Sequence, residues 1–341
     1  MRVATALVRR LAVLALTMLA VSVLVFLALE VNVEGVAVKV LGQFSTPDQR
    51  HLWLQHNGYF DPLPLRYGRW LWNFIQGRWG VSTYYHADVR ALIAPRLGAS
   101  AVLMGASLAV TVPLALSLGV LAGIRQGSPI DRLVSVVAIL TTSLPEFASA
   151  VFLSAIFVFW LGWAPGVSTL TDGFTVRELA LPVAVLALSS TGYIARMTRA
   201  SMVEVMASPY VRTARLKGAS TARIVFAHAL RNALGAPVTV ILLQIPWLLS
   251  GVIVVEVFFA YPGFGTLLYV ASVNSDITLI EACAMIGVIA VVASQFVSDL
   301  INTALNPRLR NKSPPRAPRT ATPYLRSTAL RALRVFGVVR G

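Results

Sequence analysis

Long apolar runs alternate along this chain with more polar breaks, several of which carry arginine. The runs fall at about 11–29, 97–124, 133–163, 179–195, 236–260 and 283–305. A helix rises about 1.5 Å per residue and the hydrocarbon core of a bilayer is about 30 Å thick, so about 20 apolar residues cross it. The pattern predicts an all-α integral membrane protein with six transmembrane helices. The third run is too long for one perpendicular helix, and Pro145-Glu146 inside it predicts a kink or a break. The fourth run is short, and its helix is expected to continue into the polar stretch that follows. Pro113 stands inside the second run, and Pro237, Gln244 and Pro246 interrupt the fifth.

The polar stretch at 196–234 has its own pattern. Ser208 suits an N-cap and Pro209 the first helical position. Gly218 suits the left-handed residue that ends such a helix, and Ser220 suits the cap of the next. Two short helices meeting at a basic corner predict a docking surface for another protein. A loop made basic only by membrane topology accounts for the charge, but not for the caps, the glycine corner or the length.

Composition agrees with the spans. Of 341 residues, 57% are hydrophobic and 13% are charged, against roughly 25% charged in soluble domains. Mean hydropathy is +0.73. The net charge of +15 does not point to nucleic acid, because the basic residues lie mostly between and after the apolar runs. They mark the cytoplasmic side instead. Seven Lys or Arg lie between Arg196 and Arg231, and none between Tyr261 and Ile280. Arg9 and Arg10 precede the first run, which is too long for a signal-peptide core and lacks a small-x-small cleavage site. Both termini are therefore expected in the cytoplasm of a multi-pass protein of the cell membrane, surrounded by lipid.

Residues 30–96 are expected outside. Tyr67, Trp70, Leu71, Phe74 and Ile75 recur at helical spacing. Either an amphipathic helix at the membrane surface or a small folded cap with those residues in its core would give this pattern. The tail at 311–341 is basic and proline-rich, which predicts disorder; its last piece, 325–339, also reads as a basic amphipathic helix for anionic lipid.

Catalytic and metal chemistry find no support in the sequence. Cys283 stands alone, and His51, His56, His86 and His228 show no metal-ligand spacing. Lys39, Lys217 and Lys312 are the only lysines, and none lies in a phosphate-binding glycine loop. An energy source would have to come from a partner.

Arg212-Thr213-Ala214, then Gly218, then His228-Ala229-Leu230-Arg231-Asn232-Ala233 resembles the "EAA" loop of ABC importer permeases, in the variant of the oligopeptide/dipeptide/nickel permease family. Val254 to Leu268, with its Tyr261-Pro262-Gly263-Phe264-Gly265, is similar to that family too. So are Asp61-Pro62-Leu63-Pro64, Tyr67, Trp70, Gly77 to Ser82, and Asn306-Pro307-Arg308. The chain departs from the pattern at three places. An acidic residue is expected where Arg78 stands, a Pro-Gly-Asp-Pro after the first span is missing, and a proline is expected near Thr278.

The resemblance implies a type I ABC importer permease architecture with a cytoplasmic coupling helix. It implies two ATPase subunits, a second homologous permease and an extracytoplasmic solute-binding protein as partners. ATP and magnesium would sit on the ATPases, with no cofactor on this chain. The coupling residues carried over are Tyr210, Arg212, Thr213, Ala214, Arg215, Lys217, Gly218 and Arg223. The translocation path would run between the two permeases, with small peptides as the default solute and nickel complexes, opines or sugars open.

Glu146, Gln244 and Glu256 are the polar candidates for that path. A charged side chain deep in the bilayer costs roughly 2.5–3.5 kcal/mol on insertion scales, so Glu146 is expected to avoid lipid. Either it bridges backbone groups freed by Pro145, or it lines the path and meets a cationic part of the solute. Two other classes compete with the importer subunit: a secondary transporter or channel acting alone, and a membrane-embedded hydrolase. Neither an internal repeat nor a set of catalytic groups at one depth supports them.

Overall fold

The computed structural model describes residues 2–30, 33–170 and 173–305. The chain divides into two compact units, Met1–Ser298 and Asp299–Gly341. The expected tail at 311–341 and Asn306-Pro307-Arg308 lie outside the described residues. Among the described residues the structure is helical, apart from one isolated bridge between Val81 and Asp88. Four helices are long and apolar enough to cross a membrane, or up to 6 if each of two bent pairs is one span. The six-span reading is compatible with this.

Helix α1 (Arg2–Glu30) is followed by three short helices, α2 (Val33–Leu41), α3 (Pro47–His56) and α4 (Leu63–Ile75). Thr46 starts α3 through a capping box. Its Oγ1 accepts from Gln49 N at 3.3 Å, while Gln49 Oε1 accepts from Thr46 N at 3.0 Å. The aromatic pattern at 67–75 does form a helix; it packs on α1 through half-buried Tyr67 and Trp70, while Ile75 stays exposed. Tyr67 and Trp70 close on the Phe26 ring of α1 at 5.5 and 5.6 Å, and Tyr67 Oη and Ser22 Oγ hydrogen-bond at 2.7 Å. Arg66 is buried and pairs with Glu30.

Helix α5 (Val89–Ile124) begins well before the apolar run at 97, because Asp88 Oδ1 accepts from Arg90 N at 2.9 Å and Ala91 N at 3.2 Å. Ser128 caps α6 (Pro129–Ser143) by accepting from Asp131 N. Helix α7 (Glu146–Ser154) follows, with a π-helical turn at Ala155–Trp160. The expected break at Pro145 is sharp: the two halves meet at 107°. Leu144 is extended, at φ −83 and ψ 126, the conformation that the proline ring favours in the residue before it.

Helix α8 (Val176–Met206) runs on into the polar stretch, as its short apolar run predicted. It packs against α5 through glycine. A Cβ on Gly119 would lie 2.5 Å from Thr198 Cβ, and one on Gly123 would lie 2.5 Å from Met202 Cβ. In lipid, apolar side chains gain nothing by leaving hydrocarbon, so helices associate where small residues let their backbones approach.

The polar stretch holds α9 (Pro209–Leu216), α10 (Thr221–Arg223), a π-helical turn at Ile224–Ala229, and α11 (Leu230–Ala233). Helix α12 (Gly235–Phe258) runs uninterrupted through Pro246. The interruption expected at Pro237, Gln244 and Pro246 lies earlier, as a 50° bend between Thr221–Ala233 and Gly235–Leu248. Pro237 falls in the first turn of α12, where a missing N–H breaks no helical bond. Helices α13 (Phe264–Val273) and α14 (Ile277–Leu305) follow. One cluster of buried side chains, including Leu103, Ala150, Leu186, Leu248, Val252 and Phe259, joins α5, α7, α8 and α12.

Candidate functional sites

The basic corner is a self-contained scaffold. Gly218 adopts φ +78, as its expected left-handed role requires. Gly218 N donates to Arg215 O at 2.9 Å and Ala219 N to Ala214 O at 3.1 Å, the two bonds of a Schellman ending for α9. Ser220 Oγ accepts from Arg223 N at 3.4 Å and caps α10. Ser208 stands at the N-cap of α9, but its hydroxyl caps nothing there. It donates back to Val205 O in the last turn of α8. Inside the corner, Val211, Ile224, Val225, Ala229 and Ala233 are buried, the last three clustering with Met202 of α8.

The corner's outer face carries most of the expected coupling residues. Tyr210, Arg212, Thr213, Arg215, Lys217, Gly218 and Arg223 are exposed, and Ala214 is half-buried. Among the described residues, the side chains of Arg212, Arg215, Lys217 and Arg223 have no acidic partner. Tyr210 is held in place by Asn232, whose Nδ2 donates to its hydroxyl at 3.1 Å. Two apolar side chains stand among these cations, Leu216 at 82% and Phe226 at 74% exposure. Sequence reasoning passed over both, because one apolar residue in a polar stretch reads as ordinary until its neighbours are placed.

Beneath the corner, Asp131 at the start of α6 takes the Arg199 guanidinium of α8 in a two-pronged pair, with Nη2 2.8 Å from Oδ2. The same carboxylate accepts from Gly127 N at 2.8 Å. A forked pair of this kind fixes direction as well as distance, so the turn between α5 and α6 is stapled to the stalk that carries the corner.

A second site lies at the break between α6 and α7. A cavity of about 700 Å³ is lined by Thr142, Leu144, Pro145, Glu146, Ser189, Tyr193, Gln244 and Trp247. The structure thus brings Glu146 and Gln244 together. Glu146 Oε1 has no hydrogen-bond partner, and the carboxyl bridges none of the backbone groups freed at Pro145. Tyr193, Ser189 and Thr142 add hydroxyls that the sequence did not single out, since two separate helices, α6 and α8, contribute them.

Glu256 does not join that cavity. It is wholly buried at the end of α12, where Oε2 accepts from Gly265 N at 2.7 Å and Thr266 N at 3.2 Å, and Oε1 accepts from Ser100 Oγ. The expectation that it lines a path is corrected: the carboxylate closes the N-terminus of α13, where unpaired N–H groups and the helix dipole favour an anion. A Cβ at Gly263 or Gly265 would strike that carboxylate, and Tyr261 Oη reaches Ala99 O at 2.7 Å. The Tyr-Pro-Gly-Phe-Gly sequence is therefore a structural clasp.

The family model described as the binding-protein-dependent transport system inner membrane component matches residues 115–311. A protein of Brucella abortus named as a peptide transport system permease is 34% identical over 86% of this chain and 95% of that protein. The oligopeptide transport system permease protein AppB of Bacillus subtilis is 33% identical over 76% of this chain and 84% of that protein. A protein of Sinorhizobium fredii named as a peptide ABC transporter permease is 31% identical over 89% of this chain and 98% of that protein.

Proposed function

Because the chain belongs to the family of binding-protein-dependent transport system inner membrane components, we propose that it is the membrane-spanning half of an ATP-driven importer of small peptides. A second permease completes the path, two ATPase subunits hold ATP and magnesium, and a solute-binding protein delivers the peptide. The observation that supports this best is the capped corner at 208–234, whose unpaired cations and the apolar Leu216 and Phe226 are exposed. Exposed apolar side chains in a stretch of unpaired cations suit docking on an acidic surface. ATP-driven closure there would move the stalk of α8, and the Asp131–Arg199 staple would carry that movement to α6. The cavity at Glu146 lies at the far end of α6 and is the part of the path this chain would supply.

The test is purification of the tagged chain from its native membrane. The importer reading expects an ATPase to come with it, and solute-dependent ATP turnover that replacing Leu216 and Phe226 by serine lowers by about tenfold or more. Solute transport by the chain alone, driven by an ion gradient, would instead make it a secondary transporter. Topology has its own check: in intact cells a cysteine at 212 should be shielded from an impermeant thiol reagent and one at 265 should react.

A further inference from the structure

The cap formed by α2, α3 and α4 encloses a cavity of about 430 Å³ against the first turns of α14. Its size is that of a small-molecule site. Trp53, Trp70, Phe74 and Trp79 line it. Most of its charges are matched. Arg66 pairs with Glu30, which also accepts from Tyr59 Oη at 3.0 Å, and Arg69 pairs with Asp61 at 2.9 Å. Two ionisable side chains are left without an ionic partner. Glu281 is 7% exposed; its Oε2 accepts from Trp70 Nε1 at 2.8 Å, and its Oε1 is buried without a partner. Arg78 lines the same cavity, is exposed, and has no side-chain partner among the described residues.

A buried carboxylate oxygen left empty is costly unless something bonds it. A buried acid, an exposed and unpaired guanidinium and aromatic side chains lining one cavity are complementary to one kind of molecule. We propose that this cavity binds a small zwitterionic solute, its ammonium on Glu281 Oε1 beside the Trp70 ring and its carboxylate on Arg78. Aromatic faces attract an ammonium, and a guanidinium grips a carboxylate with two parallel bonds. Arg78 and Thr278, which both line the cavity, are two of the places where the chain departs from the family pattern. The site shares no lining residue with the cavity at Glu146 and stands apart from that path.

Binding is read by calorimetry on the full chain in phosphatidylcholine nanodiscs, with alanyl-alanine as the probe. Transport is not needed, so failure of the importer reading leaves the measurement intact. Saturable binding is expected, weakened about tenfold or more by N-acetylation or C-amidation of the probe and to a similar extent by Glu281→Gln. Arg78→Gln keeps the test alive if the Glu281 variant does not fold, because Arg78 is exposed and supports nothing else; it should weaken alanyl-alanine while leaving alanyl-alanine amide unchanged. Absence of saturable binding, equal binding of the acetylated probe, or indifference to Arg78→Gln would overturn the proposal. So would equal competition by glycerophosphoethanolamine, which would assign the cavity to a lipid headgroup.

Discussion

The two ends of α12 turn corners by opposite means. Before it, the corner at 208–234 is closed by neighbours in sequence: Gly218 and Ala219 bond back to α9, and Ser220 caps α10. Its cations are left exposed. After α12, the corner at 256–266 is closed from a distance. Glu256 gathers two backbone N–H groups of α13 and a hydroxyl from α5, and Tyr261 reaches Ala99 of α5. Local closure leaves an outer surface free for a partner. Closure by a buried acid commits the surroundings, since each group it holds would be stranded without it.

Breaking the second corner should do the most damage. Glu256→Ala strands Gly265 N, Thr266 N and Ser100 Oγ, at a cost of about 3 kcal/mol or more. The thermal midpoint of the purified chain should fall sharply, and an unchanged midpoint would show that the clasp contributes little. At the first corner, Gly218→Val forces a β-branched residue into a left-handed conformation, costing about 1–2 kcal/mol or more. Because the bonds there are local, the chain should still insert and fold, while solute-stimulated ATP turnover of the assembled complex drops several-fold. Full coupled turnover in a well-expressed Gly218→Val complex would separate the corner from coupling.

Glu146 belongs to neither corner, and its oxygen is unpartnered. Glu146→Gln should leave assembly near normal while transport of cationic peptides weakens selectively. Normal transport of every peptide by that variant, with failed assembly of Glu146→Ala, would make the residue structural. The smallest contrast lies within the first corner. Ser220→Ala should lower stability by about 1 kcal/mol, because the hydroxyl caps α10. Ser208→Ala should change it by less than about 0.5 kcal/mol, since that hydroxyl caps no N–H of α9. Equal effects in matched denaturation curves would contradict these bonding assignments.

Much of this was legible in the chain. Periodic apolar runs predicted the long helices, Pro145 predicted the break, and Gly218 and Ser220 predicted the corner, because each effect acts within a turn or two of backbone. The same reasoning placed Ser208 at the N-cap of α9 but not its hydroxyl, which bonds to Val205 O of the preceding helix instead. It also placed the interruption of the fifth run at its prolines, whereas the bend precedes α12 and Pro246 is carried within the helix.

Sequence by itself determined the class of the molecule, the helical spans and the basic corner, since hydropathy, proline geometry and capping are properties of neighbouring residues. Tertiary structure alone decided what the acids do. Glu146, Glu256 and Glu281 look alike as single carboxylates within or beside apolar runs. One lines a cavity without a partner, one is consumed by the backbone of α13, and one keeps a bare oxygen under an aromatic cap. What separates them is the set of donors that distant helices bring within about 3 Å, and a hydrogen bond at that range depends on the fold, not on sequence spacing.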